Sequence, residues 1–315
     1  MSQRLALHAN RGELKMLRAS ALLLLGTVAL SGTGRAAERT VDSLLVDDFL
    51  QATRLYADGQ KSGPAAPGVK VWLDGMDARG IDASVLAARL ERLEVRTKAA
   101  GRVDPFAKYR RVVVEDLPAV SRESEVSPVA LHAFRFDVVE DYDDTSNDDI
   151  YCYFITTHDD LLWGKVTSIY SGLDEGQSFF FGPDDRGLFG PRGDKLAPKN
   201  HTLVDFGIVE SDSGDIAQLK KLSDAIVDLA VVALTIYDPG AGAAAAQARA
   251  ETKNLLHLIV EMDDDDRLVA DTLRFTPASM HAQLGGGTVS EFDRYYDHDT
   301  FWTHYSYRIH FRMLR

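Results

Sequence analysis

From residue 128 to 209 the apolar residues recur at every second position in short runs, and that period limits the fold more than any other property of this 315-residue chain. Successive side chains of an extended strand point to opposite faces, so alternation marks a strand with one side against a core. The runs 131–139 and 150–156 alternate, and 161–170, 177–181 and 202–209 follow with turn residues between them. Strands punctuated in this way predict an antiparallel sheet protein. The last run, 302–311, keeps the period: His304, Ser306, Arg308 and His310 alternate with Tyr305, Tyr307, Ile309 and Phe311. Residues 216–237 break it, because Leu219, Leu222, Ile226, Leu229, Ala233 and Ile236 recur at helical spacing. Lys220, Lys221, Asp224 and Asp228 lie within that helix, which suits packing on a core and excludes a bilayer span. The expected fold class is therefore mainly β, an antiparallel β-sandwich over 128–315 with one inserted helix at 216–237.

Upstream, residues 37–127 read as a small α/β region. Leu44, Leu45, Phe49, Leu50, Ala52 and Tyr56 share a helical face, and Asp82 is placed to cap a helix over 83–100. The prolines and glycines of 59–68 predict a loop, 69–73 and 109–115 predict short strands, and Asp74, Asp77 and Asp82 lack the glycine and glutamate positions of an EF-hand. Farther on, 182–200 reads as a long loop, the Gly/Ala segment 239–246 as a flexible tether, and 255–261 and 271–275 as strands.

The N-terminus has the order of a secretory signal. Arg11, Lys15 and Arg18 precede the apolar run 19–30, and small residues follow through Ala37. Residues 1–36 are expected to be a signal peptide, which implies a secreted or periplasmic protein; an uncleaved N-terminal anchor is the other reading. Removing the five basic residues and one acidic residue of that segment takes the formal net charge from −13 to −17. Such a surface repels nucleic acid. The mature chain is expected to contain no transmembrane span. Cys152 is the only cysteine, so no intramolecular disulfide can form, and its apolar run predicts a buried, inert thiol.

Two acidic turns interrupt the apolar runs. One contains Asp141, Asp143, Asp144, Asp148 and Asp149 immediately before Ile150, and the other is Asp263, Asp264, Asp265 and Asp266 after 255–262. Carboxylates gathered at strand ends repel one another unless a cation or water stabilises them. A hard cation such as calcium takes six to eight oxygens.

The stretch 136–154 resembles the first strand pair of the C2 family, the calcium-dependent phospholipid-binding β-sandwiches, and 161–181 is similar to the strand, turn and aromatic strand that follow. The family holds calcium with an Asp in its first loop and a second Asp six residues later in a Ser-Asp-Pro-Tyr motif. Asp143 and Asp149 have that spacing, with Asp149-Ile150-Tyr151 standing where Asp-Pro-Tyr would be and without the proline. The family's third acidic loop has two candidates here, Asp212 with Asp215 beside Glu210, and Asp263 to Asp266; the second is preferred because 255–261 would supply its preceding strand. The resemblance implies a calcium site of Asp143, Asp149, Asp263 and Asp265, with Asp141 and Asp266 as further ligands, and a phospholipid head group as partner; for an exported protein a glycan or another protein surface is equally open.

Two other classes remain open. His281, His298, His304 and His310 lie near Asp293, Asp297 and Asp299 in the last 35 residues, and histidine with carboxylate can hold zinc or move protons, as in a secreted metal- or His-dependent hydrolase. No His-Glu-x-x-His and no Gly-x-Ser-x-Gly occurs, and Gly285-Gly286-Gly287 lacks the strand and helix of a nucleotide fingerprint. The third class is an interaction protein whose acidic turns hold no specific metal. No reaction is named by these residues.

Overall fold

A computed structural model of the chain describes residues 37–61, 67–117, 127–140, 148–158, 161–189, 193–197, 199–211, 216–236, 242–262, 265–299 and 304–315. The expected signal peptide, 1–36, lies outside them. Two antiparallel sheets form the sandwich. In the first, β10 (Val289–Asp299), β11 (His304–Leu314), β3 (Ala130–Glu140) and β7 (Ser178–Phe180) lie in that order. In the second, the order is β5 (Leu161–Val166), β4 (Asp148–His158), β8 (Thr202–Glu210) and β9 (Asp266–Phe275), and β6 (Tyr170–Leu173) also pairs with β4. Phe136, Tyr307, Ile309 and Phe311 from the first sheet and Ile150, Cys152, Phe154, Val204, Phe206 and Ile208 from the second fill one core between them. Cys152 is buried there and burial pushes its thiol up, in keeping with an inert side chain.

The second sheet is covered on its other face as well. Tyr151, Tyr153, Ile155, Leu162, Val166 and Val209 join a second core with helices α1 (Leu44–Ala57), α2 (Pro67–Arg79), α3 (Ala83–Ala99), α6 (Ile216–Ile236) and α7 (Gly242–Met262). The short helices α4 (Ala107–Arg110), α5 (Pro183–Arg186) and α8 (Pro277–Leu284) complete the order. Every residue from Ile150 to His158 and from Thr202 to Val209 is buried, so β4 does not alternate between core and solvent as expected, and neither does β8. A strand with helices on one side and a sheet on the other needs apolar residues on both. Close approach is built in at Gly164 on β5, where a Cβ would come within 2.4 Å of Val227 on α6.

Residues 37–117 add a two-stranded antiparallel sheet, β1 (Ala37–Asp42) with β2 (Arg111–Asp116), around α1 to α4. Asp82 caps α3 as expected, its carboxylate accepting the Ser84 N–H at 2.9 Å. Four expectations change. Residues 69–73 are helical, because Val69, Trp72, Leu73 and Met76 are all buried at the i, i+3, i+4, i+7 spacing that a five-residue window cannot display. Asp74 and Asp77, whose spacing without the EF-hand positions reads in the sequence as a turn, consequently lie on a helix. Residues 255–261 are also helical: Leu255, Leu256, Leu258, Ile259 and Val260 are buried on almost every side of α7, which erases the helical period. The Gly/Ala tether enters the same helix from Gly242, so the insertion between β8 and β9 holds two helices where one was expected. Strand β10 and helix α8, capped by Thr276 through a reciprocal pair with Ser279, were not foreseen.

Polar groups tie α7 to the sheet beneath it. Asp205 on β8 is 1% exposed and accepts from Arg249 at 3.1 Å, from Lys253 at 3.0 Å and from the Thr272 hydroxyl at 2.5 Å. Burial alone would raise this carboxyl, but the charges of Arg249 and Lys253 and the hydroxyl outweigh it and hold Asp205 below the usual carboxylate range. Tyr153 lies over Gly207 on the neighbouring strand, where a Cβ would come within 2.2 Å of its ring.

Candidate functional site

The strand register decides where the acidic turns fall. Ile150 of β4 pairs with Glu210 of β8, and Glu210 pairs with Asp266 of β9. The start of β4, the end of β8 and the start of β9 are therefore adjacent at one end of the second sheet. Strand β3 ends at Glu140 and the chain runs from it to Asp148, so the first sheet presents the end of β3, with the β10–β11 connection beside it, at the same end of the sandwich. The connections 141–147, 212–215, 263–264 and 300–303 all leave from here.

Of the six expected calcium ligands, Asp149, Asp265 and Asp266 are described, and all three lie at this end; Asp141, Asp143 and Asp263 lie outside the described residues. Asp149 accepts the Gly172 N–H at 3.0 Å through Oδ1, and its main-chain carbonyl accepts the Ser211 N–H at 2.8 Å. Ser211 in turn reaches Asp265 Oδ1 with its hydroxyl at 3.5 Å. Asp265 is 4% exposed and accepts the hydroxyl of the fully buried Tyr151 at 2.9 Å. It is thus a strut under the edge, and an ion would have to share it with Tyr151 and Ser211. Asp266 is exposed, and its charge adds to burial in raising the Tyr305 phenol, whose hydroxyl donates to the Leu268 carbonyl at 2.6 Å across the two sheets.

The two alternatives for a third acidic loop do not exclude each other, since β8 delivers 212–215 and β9 receives 263–264 at adjacent positions. The reason for preferring the second does not hold, because 255–261 is a helix. All the donors gathered on the second sheet are carboxylates, hard oxygen ligands of the kind calcium takes.

The C-terminal histidines are not assembled into one centre. His281 is exposed on α8, and His298 stacks on Tyr305 with ring centroids 4.9 Å apart. His310 contacts Asp137 at 2.7 Å and Arg135 at 2.8 Å on the outer face of the first sheet. His304 lies beside Glu140 and Asp297.

Three residues escaped the sequence reading. Glu140 belongs to the acidic end with Glu210 and is signalled only by its adjacency to Asp141. Lys165 on β5 is buried, donates to the Asp184 carbonyl at 3.0 Å beside Asp185, and is pushed down by burial to about 8. His257 on α7 meets the Tyr153 hydroxyl at 2.7 Å and is driven by burial, then by Arg267, Lys253 and Lys108, down to about 2.

No family model matches the chain, and no curated protein matches it. Among solved structures, a C2 domain of plant extended synaptotagmin 1 is similar at 8% identity and a TM-score of 0.23, over 61% of this chain and 95% of that one. A structure of CC2D1B is similar at 10% identity and a TM-score of 0.24, over 86% of this chain and 84% of that one. The first belongs to the family that residues 136–181 resemble, and the likeness is a weak one.

Proposed function

We propose that this protein is an exported calcium-dependent binding module whose ligand surface is the acidic end of the sandwich. The observation that supports this most is the register Ile150↔Glu210↔Asp266, which draws three acidic strand ends together. Asp143, Asp149, Asp263 and Asp265 would hold the ion, with Asp141 and Asp266 as further ligands. A bound calcium neutralises the edge and keeps coordination positions for a phosphate or carboxylate of the partner. The partner is a phospholipid head group, an anionic glycan or an acidic protein surface, each of which the bare edge would repel.

The test is a thermal melt of the full chain in chelator and then at rising calcium. A ligand that binds only the folded state at 100 times its Kd adds about 2.7 kcal/mol, a shift of several degrees. A rise with calcium that magnesium does not reproduce is the expected result, and no shift at millimolar calcium overturns the reading. Export is checked by N-terminal sequencing of secreted protein. The expected product begins near Ala37, and secreted protein that retains residues 1–36 would count against a cleaved signal.

A further inference from the structure

We infer that Glu140, Asp297 and His304 form a second metal site, chemically distinct from the calcium edge, that takes a borderline transition-metal cation such as zinc. These residues come from three adjacent strands. Asp299 of β10 pairs with His304 of β11, Asp297 pairs with Ser306, and Ser306 pairs with Glu140 of β3. Side chains two apart on a strand share a face, so His304 and Ser306 stand on one side of the sheet, with Asp297 and Glu140 on either side of Ser306. His304 Nε2 is 2.9 Å from Glu140 Oε2 and 3.6 Å from Asp297 Oδ1, and one ligand atom from each residue lies within 4.8 Å of the others.

Those separations lie near the dimensions of a coordination sphere. Zinc bonds of about 2.0–2.2 Å in a tetrahedron place ligand atoms about 3.3–3.6 Å apart, so small side-chain shifts would bring all three onto one ion. The supports are paired strands, and the Ser306 hydroxyl donates to Glu140 Oε2 at 3.1 Å, an outer contact of the kind that orients a ligating carboxylate. Donor chemistry separates the site from the calcium edge: an imidazole nitrogen with two carboxylates suits zinc, cobalt or another borderline cation, whereas calcium selects oxygen alone. Two carboxylates and a neutral imidazole also balance a divalent charge. Three protein ligands leave a fourth position, and the 49% exposure of the His304 side chain opens that position to water or to a donor from a partner.

The experiment uses the full chain, freed of metal with chelator and titrated with cobalt(II), whose visible d–d absorption reports nitrogen ligation and low coordination number. The expected result is saturation at one equivalent, displacement by zinc, and no displacement by excess calcium. His304→Gln should weaken binding by on the order of 100-fold or more, since even an outer-sphere partner is worth 10- to 100-fold. His281→Gln, on an exposed helix away from the triad, should bind as the parent does. Asp297→Asn, at a side chain 55% exposed, gives a second reading that does not depend on His304→Gln folding. Absence of the cobalt spectrum, displacement of cobalt by calcium, or binding untouched by Asp297→Asn would each overturn the site and leave an ion pair of His304 with the two carboxylates. A missing cobalt spectrum, or binding untouched by Asp297→Asn, leaves the calcium melt as it stands.

Discussion

The hydroxyl of Tyr153 and Nε2 of His257 meet at 2.7 Å where α7 packs on the sheet, and burial, with the charges of Arg267, Lys253 and Lys108, holds that histidine uncharged. The unfolded chain has no such constraint, so His257 there takes up a proton near pH 6.5 while the folded protein holds it neutral to about 2. The stability gained is complete above pH 6.5 and is lost as the pH falls, at a limiting slope of about 1.4 kcal/mol per unit. His257→Gln, which keeps a polar partner for Tyr153, should remove that slope. Urea unfolding of parent and variant at pH 7, 6 and 5 checks it; parallel pH curves would show that His257 is not the group responsible.

Lys165 gives the opposite end of the pH scale. Its amine sits at about 8 in the fold against 10.5 when free, so the unfolded chain binds the extra proton in that window and stability rises with pH between the two values. Lys165→Met should abolish this rise. The difference between parent and variant melting temperatures at pH 7.5 and 9.5 measures it.

Asp205 binds α7 to the sheet through Arg249 and Lys253. Asp205→Ala leaves the Arg249 guanidinium, 6% exposed, without its counter-charge and is expected to cost about 3–5 kcal/mol. Replacing all three charges together, Asp205→Leu with Arg249→Met and Lys253→Met, should recover most of that loss, because apolar groups of similar volume carry no desolvation cost. Equilibrium unfolding of both variants is the measurement, and a triple variant as weak as the single one would refute this account.

Gly207→Ala pushes a methyl into the Tyr153 ring and should destabilise by about 1–3 kcal/mol, the usual range for overpacking. In a Tyr153→Leu background the same change should cost much less. A double-mutant cycle gives the coupling, and strict additivity would place the strain elsewhere.

For the calcium edge, Asp149→Asn should weaken calcium by about tenfold or more, equal to about 1.4 kcal/mol, read as a smaller calcium-dependent rise in Tm. An unchanged rise would remove Asp149 from the ligand set.

The sequence disclosed elements wherever burial is one-sided. Tyr305, Tyr307, Ile309 and Phe311 alternate plainly because His304, Arg308, His310 and Arg312 on the other face of β11 reach solvent, although Ser306 among them is buried, and Leu219, Leu222 and Ile226 keep a helical stripe. It concealed them where burial surrounds an element, as along Leu255 to Val260 of α7, since a run with no polar side has no period to read. The acidic turns were visible as charge, but their meeting at one end depends on the β8–β9 register across a helical insertion, which no local pattern carries. Asp205 was hidden for a related reason: one carboxylate inside an apolar strand announces a partner without saying which helix brings it.

Strands β8 and β9 share nine register pairs from Thr202↔Phe275 to Glu210↔Asp266, although α6 and α7 separate them along the chain. A closure of that length costs chain entropy before its first ladder bond forms. The pairing that repays this cost also sets Glu210 opposite Asp266. Like charges opposite one another oppose a pairing, and salt screens that opposition, so the β8–β9 ladder closes against least resistance where the medium is salty.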